Sequence, residues 1–399
     1  MSCFADLPAA RPDPILGIAE LIKADTHPRT ANLGIGVYHD AAGRVALMDC
    51  VREAEARLVA DPVAHAYLPM DGDQRFVELA RGLIFGEDSP ALTAGRIVTV
   101  QGLGGTGALR LGADFLHRIH PDARVLFSDP TWDNHEAIFL GAGFATGRYR
   151  YLDAPRHAVD VDGMLADLET AVAGTVVVLH ACCHNPTGYD LTQSEWRAVI
   201  DVVVRRGLIA FFDLAYQGLA TSLDEDAFPV RLAVASGADF LVASSFSKNL
   251  GLYGERVGAL SLGCADAAEA ARVLSQVKLT VRRTYSSPPT HGAAIVRTIL
   301  ADPALRAAWT GELAGMRMRV VAVRESLVAG LEAAGVTDAA FIAAQHGLFS
   351  YTGLSPAQMA RLRSEWGVYG VDSGRICVAA LNDGNLDYVC QALAAVWRA

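Results

Sequence analysis

Short apolar runs recur through the middle of the chain, and stretches with helical periodicity separate them. The runs are rich in β-branched and aromatic residues and lack the alternation of a half-exposed strand. Strands buried on both faces, with helices between them, are typical of a mostly parallel sheet. The pattern predicts an α/β fold with five such strands: RIVTV (96–100), RVLFSD (124–129), TVVVLHA (175–181), GLIAFFD (207–213) and DFLVASS (239–245).

After Pro303 the pattern changes to one long helical stretch, followed by a strand–helix–strand sequence that predicts a smaller α+β unit. The segment NLGIGVYHDAAGRV near the start is expected to pack with this unit. Pro12 and Pro14 predict an extended arm before it. We therefore predict an N-terminal arm at 1–14, a small domain at 15–45 and 316–399, and a large domain at 46–315.

Length and composition narrow the class of protein. A chain of 399 residues with 52% hydrophobic and 20% charged residues predicts a globular protein of two domains. A formal net charge of −10 argues against a general nucleic-acid binder. The N-terminus lacks the pattern of a secretory signal, and no apolar stretch approaches the length of a membrane span. We expect a cytoplasmic protein that binds neither nucleic acid nor membrane.

The seven cysteines are odd in number and scattered, without a CxxC pair. Reduced thiols used as small apolar residues explain this distribution better than a disulfide framework or a zinc site. Cys182, Cys183 and His184 are adjacent in sequence, but neighbouring residues of a strand point in opposite directions and rarely ligate one metal. We predict no metal.

Polar residues follow all five predicted strands. In open α/β sheets, ligands bind beyond the carboxyl ends of the parallel strands, so these residues are expected to meet at one site. A satisfied turn explains any one group, but five together favour a ligand site. In chain order, the groups are Gly102 to Thr106, Asp129 to Trp132, His184 to Gly188, Asp213 with Tyr216, and Ser245 with Ser247 and Lys248.

One hypothesis for this site is a dinucleotide. Gly102, Gly104 and Gly107 fit G-x-G-x-x-G between a strand and a helix, and Asp129 follows at the spacing of a ribose-binding acid. The motif alone is weak, and it leaves the lysine, the aspartate and the asparagine at the other strand ends without roles.

The second hypothesis is pyridoxal phosphate, which needs an amine for its aldehyde, a carboxylate for its ring nitrogen and a cradle for its phosphate. Lys248 supplies the amine and Asp213 the carboxylate. Asn185 and Tyr216 can reach the ring hydroxyl, and Trp132 can stack on the ring. The phosphate cradle would consist of Gly105, Thr106, Ser245, Ser247 and Arg256.

Each of these residues also has an ordinary explanation. Asp213 could cap a helix, Trp132 could be a core aromatic, Arg256 could form a surface ion pair, and Lys248 could be solvated. Their conjunction favours the cofactor.

The motifs SFSKNLGLYGERVGAL, HACCHNPTGYDLT, FFDLAYQGLA, DPTWDNHEAIFLGAGF and SGRICVAALN resemble the aspartate/aromatic aminotransferases of class I, which have the type I fold of pyridoxal-phosphate enzymes. The resemblance runs in order from about Asp13 to the C-terminus. It implies that the glycine-rich turn holds the cofactor phosphate rather than a dinucleotide.

The resemblance implies a catalytic set of Lys248, Asp213, Tyr216 and Trp132. Lys248 would hold the cofactor and, once freed, act as the general base. Asp213 would pair with the ring nitrogen, Tyr216 and Asn185 would bond the ring oxygen, and Trp132 would lie over the ring.

The resemblance also implies how substrates bind. Arg375 would clamp the α-carboxylate as a two-pronged fork, with Gly36, Asn185 and Trp132 beside it. From a neighbouring subunit, Tyr67 would reach the phosphate and Arg282 the distal group of the substrate. A homodimer with shared active sites is therefore expected, with Ile15 and Leu16 forming part of a lid.

The family contains aspartate specialists and aromatic enzymes. The resemblance is closest to the tyrosine/aromatic type, because Ser287 stands where aspartate specialists carry asparagine, and GLFSYTGLS, SGRICVAALN, YLPMDG and Ala66 also resemble that type. Thr106 and Val37 are closer to the aspartate type, and His39 matches neither. We predict a ping-pong aminotransferase of the aromatic-amino-acid type, which moves the amino group of tyrosine and phenylalanine to 2-oxoglutarate and retains activity on aspartate and glutamate. The alternative is an aspartate aminotransferase with minor aromatic activity. A catalytically silent relative used for regulation would lack Lys248 or Asp213, and both are present.

Overall fold

A seven-stranded sheet lies at the centre of the computed structural model, which describes residues 2–10, 13, 15 and 17–397. One strand runs antiparallel to both of its neighbours, and the other pairs are parallel. The predicted α/β fold with a mostly parallel central sheet is confirmed. In spatial order the strands are β2 (Ile97–Leu103), β10 (Val257–Gly263, the antiparallel strand), β9 (Asp239–Ser245), β8 (Ile209–Leu214), β7 (Val176–His180), β3 (Arg124–Asp129) and β4 (Ala145–Arg150).

Helices cover both faces of this sheet and continue into a second unit. Within the described part of the chain, none of them combines the length and apolarity needed to cross a bilayer. They are α1 (Gly17–Ala24), α2 (Asp49–Ala60), α3 (Gln74–Phe85), α4 (Pro90–Thr93), α5 (Gly104–Ile119), α6 (Asp133–Ala142), α7 (Val161–Thr170), α8 (Gln193–Arg206), α9 (Phe228–Ser236), α10 (Ala267–Thr284), α11 (His291–Ala301), α12 (Pro303–Ala333), α13 (Pro356–Trp366) and α14 (Leu386–Trp397).

All five runs predicted as strands form strands, but the sequence pattern missed β4 and β10. The antiparallel β10 contains Gly258, where an added Cβ would lie 2.7 Å from the carbonyl carbon of Gly104. Such a close backbone approach requires a glycine, which weakens the β signal. Strand β4 forms an edge of the sheet and carries Arg148 and Arg150, so its polar sequence is typical of a loop.

The sheet separates two apolar cores, because successive side chains point to opposite faces. On β8, Phe211 packs in the core beneath α5 and Phe212 packs in the larger core on the other face. Helix α5 approaches the sheet closely at Gly112, where an added Cβ would lie 2.5 Å from Phe211 Cζ and 3.1 Å from Leu260 Cδ1. This close packing places the first turn of α5 at the edge of the sheet.

The second unit combines the start of the chain with its end. Strand β1 (Ala31–Asn32) pairs in parallel with β12 (Val368–Tyr369), and β11 (Phe349–Tyr351) pairs antiparallel with β13 (Arg375–Cys377). The backbone of Leu33 donates to Tyr369 and accepts from Cys377, so it joins β12 to β13. The remaining short elements are the hairpin β5 (Leu152–Asp153) and β6 (Ala158–Val159), and the 3-10 helices Ala340–Ala344 and Val378–Ala380.

Helix α12, 31 residues long, extends from the large sheet into the second unit. Asp302 caps its first turn by accepting from the backbone of Ala304 and Leu305. Trp309 is fully buried, and its Nε1 donates to the carbonyl of Asn249 at 2.8 Å.

The predicted domain boundaries stay a prediction, and Pro12, Pro14 and Leu16 lie outside the described residues.

The close approach of α5 to the sheet can be tested by a stability measurement. We expect Gly112→Ala to lower the free energy of unfolding by about 1–2 kcal/mol, because overpacking strain exceeds the gain in helix propensity. Gly311→Ala in α12 is the matched control, since no atom of the described residues, apart from the adjoining helix backbone, lies within 4 Å of its added Cβ. It should leave stability unchanged or raise it by up to ~1 kcal/mol. Equal effects of the two changes in urea unfolding would contradict this packing.

Candidate active site

A cavity of about 630 Å³ lies at the carboxyl ends of the parallel strands, between the sheet and the second unit. Most of the residues that the sequence predicted for the site line it. They are Gly36, Gly105, Thr106, Trp132, Asn185, Asp213, Tyr216, Ser245, Ser247, Lys248, Arg256 and Arg375.

Lys248 follows the end of β9, and its side chain extends across the cavity. Its Nζ donates a hydrogen bond of 2.6 Å to the carbonyl oxygen of Gly36. Burial lowers the pKa of Lys248 to about 8, and the positive charges of Arg375 and Arg256 act in the same direction. A substantial fraction of this amine is therefore neutral near physiological pH, as a nucleophile or a general base requires.

Asp213 lies at the end of β8, buried beneath the cavity. Its Oδ2 accepts from His135 Nε2 at 3.0 Å, and His135 Nδ1 lies 2.9 Å from Thr131 Oγ1. Burial alone would raise the pKa of Asp213, but the hydrogen bond from His135 and the proximity of His135 and His180 hold that pKa below its ordinary value. Its Oδ1 has no hydrogen-bond partner among the described residues. An ionised carboxylate with one free oxygen is thus directed at the cavity.

His180 lies close to the same carboxylate and also lines the cavity, with no partner for either ring nitrogen in the described part of the chain. Burial and the neighbouring His135 lower the pKa of His180 to about 3, so this ring is neutral. Ligand atoms of His135, His180 and Asp213 lie within 4.8 Å of one another, a spacing that also suits a metal ion. The absence of a metal stays a prediction.

The predicted anion cradle forms another part of the cavity wall. Helix α5 begins directly after β2, with Gly104 at φ +68°, and an added Cβ there would lie 2.8 Å from Arg256 Nη2. The Ser245 hydroxyl donates to Ser247 Oγ at 3.0 Å and accepts from the Ser247 backbone at 3.1 Å. A helix N-terminus, two hydroxyls and a guanidinium together suit a phosphate.

Arg375 on β13 forms the wall contributed by the second unit. Its Nη1 donates to Asn185 Oδ1 at 2.9 Å and its Nη2 to the carbonyl of Gly34 at 2.8 Å. The ring centroid of Phe349 lies 4.1 Å from its Cζ. Burial lowers the pKa of Arg375 from its ordinary value, but an arginine stays charged. Both acceptors are neutral, so the charge of Arg375 remains available for an anionic ligand.

Two aromatic side chains complete the cavity. Trp132 immediately precedes α6, and its ring meets that of His135 edge-on, with centroids 5.3 Å apart. Tyr216 is buried beside Asp213, and burial raises the pKa of its hydroxyl above the ordinary value. The Tyr216 hydroxyl therefore stays protonated and can donate a hydrogen bond.

Comparison with known proteins assigns the chain to a family. The model of "Aminotransferase class I and II" matches residues 28–393. The chain belongs to this aminotransferase family. It is 49% identical over 397 residues to an aspartate aminotransferase of Pseudomonas aeruginosa, covering 99% of this chain and all of that one. It is 48% identical over 395 residues to an aromatic-amino-acid aminotransferase of Escherichia coli, covering 98% and 100%.

A solved structure extends this comparison to the fold. The aromatic-amino-acid aminotransferase of Burkholderia pseudomallei, covalently bound to pyridoxal phosphate, is 52% identical to this aminotransferase and superposes with a TM-score of 0.96. The match covers 99% of this chain and 100% of the other. The family and the type I fold predicted from the sequence are confirmed.

The residues of this aminotransferase fit pyridoxal phosphate. The unpaired Oδ1 of Asp213 would otherwise be a buried orphan, and a protonated ring nitrogen is the partner that it lacks. Asp213, Lys248 and the anion cradle at the start of α5 all line this one cavity. A group with a ring nitrogen, an aldehyde and a phosphate matches these three features.

Two predicted site residues do not line the cavity of the single chain. Tyr67 is 97% exposed, and Arg282 donates to the Ser286 hydroxyl on an exposed surface. The family resemblance implies that both contribute to a neighbouring subunit's site, and this stays a prediction. His184, one of the polar residues at the strand ends, is buried away from the cavity between Ser128 Oγ (2.9 Å) and Thr187 Oγ1 (2.8 Å).

Other residues that line the cavity carry no clear signal in the sequence pattern. Phe349 stands in the apolar run of β11, where the pattern predicts only a strand, and Leu109 likewise fits the apolar face of α5. Tyr253 follows Lys248 by five residues, and its hydroxyl accepts from the backbone of Tyr38 at 2.9 Å. Its place inside the lysine motif was a signal that could have been used.

The lowered pKa of Lys248 can be tested by chemical labelling. The chain has three lysines, Lys23, Lys248 and Lys278, so their labelled peptides are easily resolved by mass spectrometry. Because the neutral amine is the form that reacts, acylation of Lys248 in the folded, cofactor-free chain should reach half its maximal rate near pH 8. In the urea-unfolded chain the midpoint should move to about 10.4. Identical midpoints in the two states would contradict the electrostatics described above.

Proposed function

We propose that this aminotransferase transfers the amino group of aromatic amino acids (tyrosine and phenylalanine), and of aspartate and glutamate, to 2-oxoglutarate by ping-pong kinetics. The observation that carries the proposal is the presence of Lys248, Asp213 and Arg375 in one cavity. Together they offer a reactive amine, a buried carboxylate and a clamp for an α-carboxylate, which are the groups that transamination needs.

Pyridoxal phosphate is the cofactor, and when bound it supplies the aldehyde that takes up the amino group and the ring that withdraws electrons from the substrate Cα. Lys248 would hold it, and Asp213 would keep the ring nitrogen protonated. Asn185 and Tyr216 would bond the ring oxygen. The phosphate would bind to Gly105, Thr106, Ser245, Ser247 and Arg256, with Trp132 over the ring.

The lowered pKa of Lys248 supports its role as the base. Its neutral Nζ can move a proton between the substrate Cα and the cofactor. The carbonyl of Gly36, which accepts from Nζ at 2.6 Å, lies where it can orient this amine. Arg375 would bind the α-carboxylate, beside Gly36 and Asn185, and so fix the Cα–H bond relative to Lys248.

The cavity walls support activity on aromatic substrates. Val37, Leu109 and Phe349 are among the apolar residues that line the cavity, and an apolar lining suits the ring of tyrosine or phenylalanine. A dicarboxylate would instead need a cation for its second carboxylate, and we assign this to Arg282 of a neighbouring subunit. The relatives include a protein named aspartate aminotransferase and one named aromatic-amino-acid aminotransferase, and both names are consistent with this dual activity. The alternative, an aspartate aminotransferase with minor aromatic activity, is favoured by the 49% identical relative.

We further propose a homodimer with composite sites. Tyr67 is 97% exposed although it is a large aromatic residue, and Val63 close to it is 69% exposed. An exposed apolar segment of this kind is typical of a surface that a partner covers. Tyr67 would then reach the partner's phosphate cradle. A cytoplasmic location, expected from the sequence, is supported by a relative of 44% identity whose name carries that word.

The central test removes the amine. Lys248→Ala should abolish transamination of tyrosine and aspartate, because no other lysine among residues 17–397 lines the cavity. The purified variant should keep its melting temperature within the range of the cofactor-free wild type. Normal turnover by this variant would overturn the proposed function.

A second test concerns substrate choice. Arg282→Leu should lower kcat/KM for aspartate and glutamate by roughly 10²-fold or more, because a buried second carboxylate would lose its partner. Tyrosine and phenylalanine should be nearly unaffected. Arg375→Leu should impair all four amino acids, since they share the α-carboxylate. Equal losses for aspartate and tyrosine in Arg282→Leu would show that this residue is structural.

Hybrid dimers can test whether Arg282 acts across subunits. Chains carrying Lys248→Ala and chains carrying Arg282→Leu are each deficient in aspartate activity. After the two are unfolded together and refolded, one of the two sites in a hybrid dimer should contain both an intact Lys248 and an intact Arg282. Recovered aspartate activity in the mixture is expected, and its absence in folded hybrids would contradict the composite site.

A further inference from the structure

The ring of Phe349 lies next to three other residues of the site. Its ring lies over the Arg375 guanidinium at 4.1 Å and is 6.3 Å from the ring of Tyr216. It also occupies the space beside Gly36, where an added Cβ would lie 2.3 Å from Phe349 Cζ. The position of this ring therefore bears on the carboxylate clamp and on the carbonyl that orients Lys248.

The backbone of Phe349 is held by an arginine that lies outside the cavity. Arg324 on α12 is 2% exposed. Its Nη2 donates to the carbonyl of Gly347 and, at 3.2 Å, to that of Phe349, and its Nε donates to Ser350 Oγ at 3.2 Å. One guanidinium thus bonds to three residues of the segment 347–350.

The segment held by Arg324 also packs against the loop that carries Asn185. An added Cβ at Gly347 would lie 2.5 Å from Cys183 Cβ, and the His346 backbone donates to the carbonyl of Gly188 at 2.7 Å. Asn185 in this loop accepts from Arg375. Both neighbours of the clamp, the Phe349 ring and the Asn185 amide, therefore depend on where this segment lies.

A buried arginine whose acceptors are neutral oxygens contributes little to fold stability, because burying its charge costs desolvation free energy. Burial lowers the pKa of Arg324 to about 10, which shows that the charged form is disfavoured there. Apolar residues of similar volume often stabilise a core as well as buried charges do. A planar fork with fixed donor directions offers something else, namely the orientation of several acceptors at once.

We propose that Arg324 is a positioning residue for substrate binding. Through Gly347, Phe349 and Ser350 it holds the Phe349 ring against Arg375 and Gly36, and so fixes the direction in which Arg375 presents its guanidinium to the α-carboxylate. This inference rests on the proposed role of Arg375 as the carboxylate clamp.

The test separates KM from kcat. In Arg324→Met, KM should rise roughly tenfold for tyrosine, aspartate and 2-oxoglutarate alike, because all three carry the carboxylate that a misdirected clamp binds less well. Since the carboxylate contact is made in both the bound substrate and the transition state, kcat should fall by a smaller factor than KM rises, and that fall reflects the looser orientation of the Cα–H bond relative to Lys248. Arg324→Lys keeps the charge but loses the fork, and its KM should lie between wild type and Arg324→Met.

A matched control removes a comparable arginine far from the cavity. Arg206 on α8 is partly buried and donates to the carbonyl of Ala171 at 3.1 Å. Arg206→Met should lower the melting temperature without changing KM. If Arg324→Met likewise reduced only stability and the active fraction, with KM unchanged for all three substrates, Arg324 would be structural and the proposal would be wrong.

A double-mutant cycle tests the route through Phe349. Phe349→Leu alone should raise KM, and adding Arg324→Met should raise it little further, because coupled residues give non-additive effects. Additive KM changes would overturn the route. Arg375→Lys distinguishes this inference from the function on which it rests. If its KM values for the same substrates are unchanged, the clamp itself is wrong; if they rise while those of Arg324→Met do not, the positioning role alone fails.

Discussion

The buried carboxylate of Asp213 is the constraint around which the site is built. A charge at the end of a strand covered on both faces is very unfavourable unless it is paired, and His135 supplies that pairing from α6. Thr131 fixes the opposite nitrogen of the same ring, so the orientation of the imidazole is set by two contacts. One carboxylate oxygen is thereby held still while the other remains free for a ligand. Strand β8, helix α6 and the turn that precedes it must all keep their places for this arrangement to persist.

The local sequence pattern predicts much of the fold. The strands that it misses have weak signals for physical reasons. Strands such as β8 and β9 are apolar on both faces, which few other structures tolerate. The antiparallel β10 could not be found in this way, because Gly258 lies against the backbone of Gly104 and its place depends on a contact far away in sequence. The edge strand β4 is polar because an exposed edge must resist pairing with other chains.

The site likewise contains residues that the sequence pattern predicts and residues that it does not. Lys248, Asp213 and the glycine turn at α5 could be predicted, since the carboxyl ends of parallel strands meet at one edge whatever the details of packing. Phe349 and Arg324 could not. In sequence, Phe349 is one apolar residue of a strand and Arg324 one charged residue of a long helix, which is normally a solvated position. Their roles come from the docking of β11 against β13 and α12, and a linear pattern carries no record of that docking.

Helix α12 contacts two segments that contribute to the site, namely the segment that carries Lys248 and the segment that carries Phe349. Near its start Trp309 bonds the carbonyl of Asn249, the residue next to Lys248, and about four turns later Arg324 bonds that of Phe349. The two contacts are linked by a continuous helix, so the angle between them is set by the residue count. A single inserted residue would rotate the second contact by about 100° around the helix axis. Over evolutionary time the length of this helix is therefore expected to be kept invariant, while the exposed loops of the same protein are free to gain and lose residues.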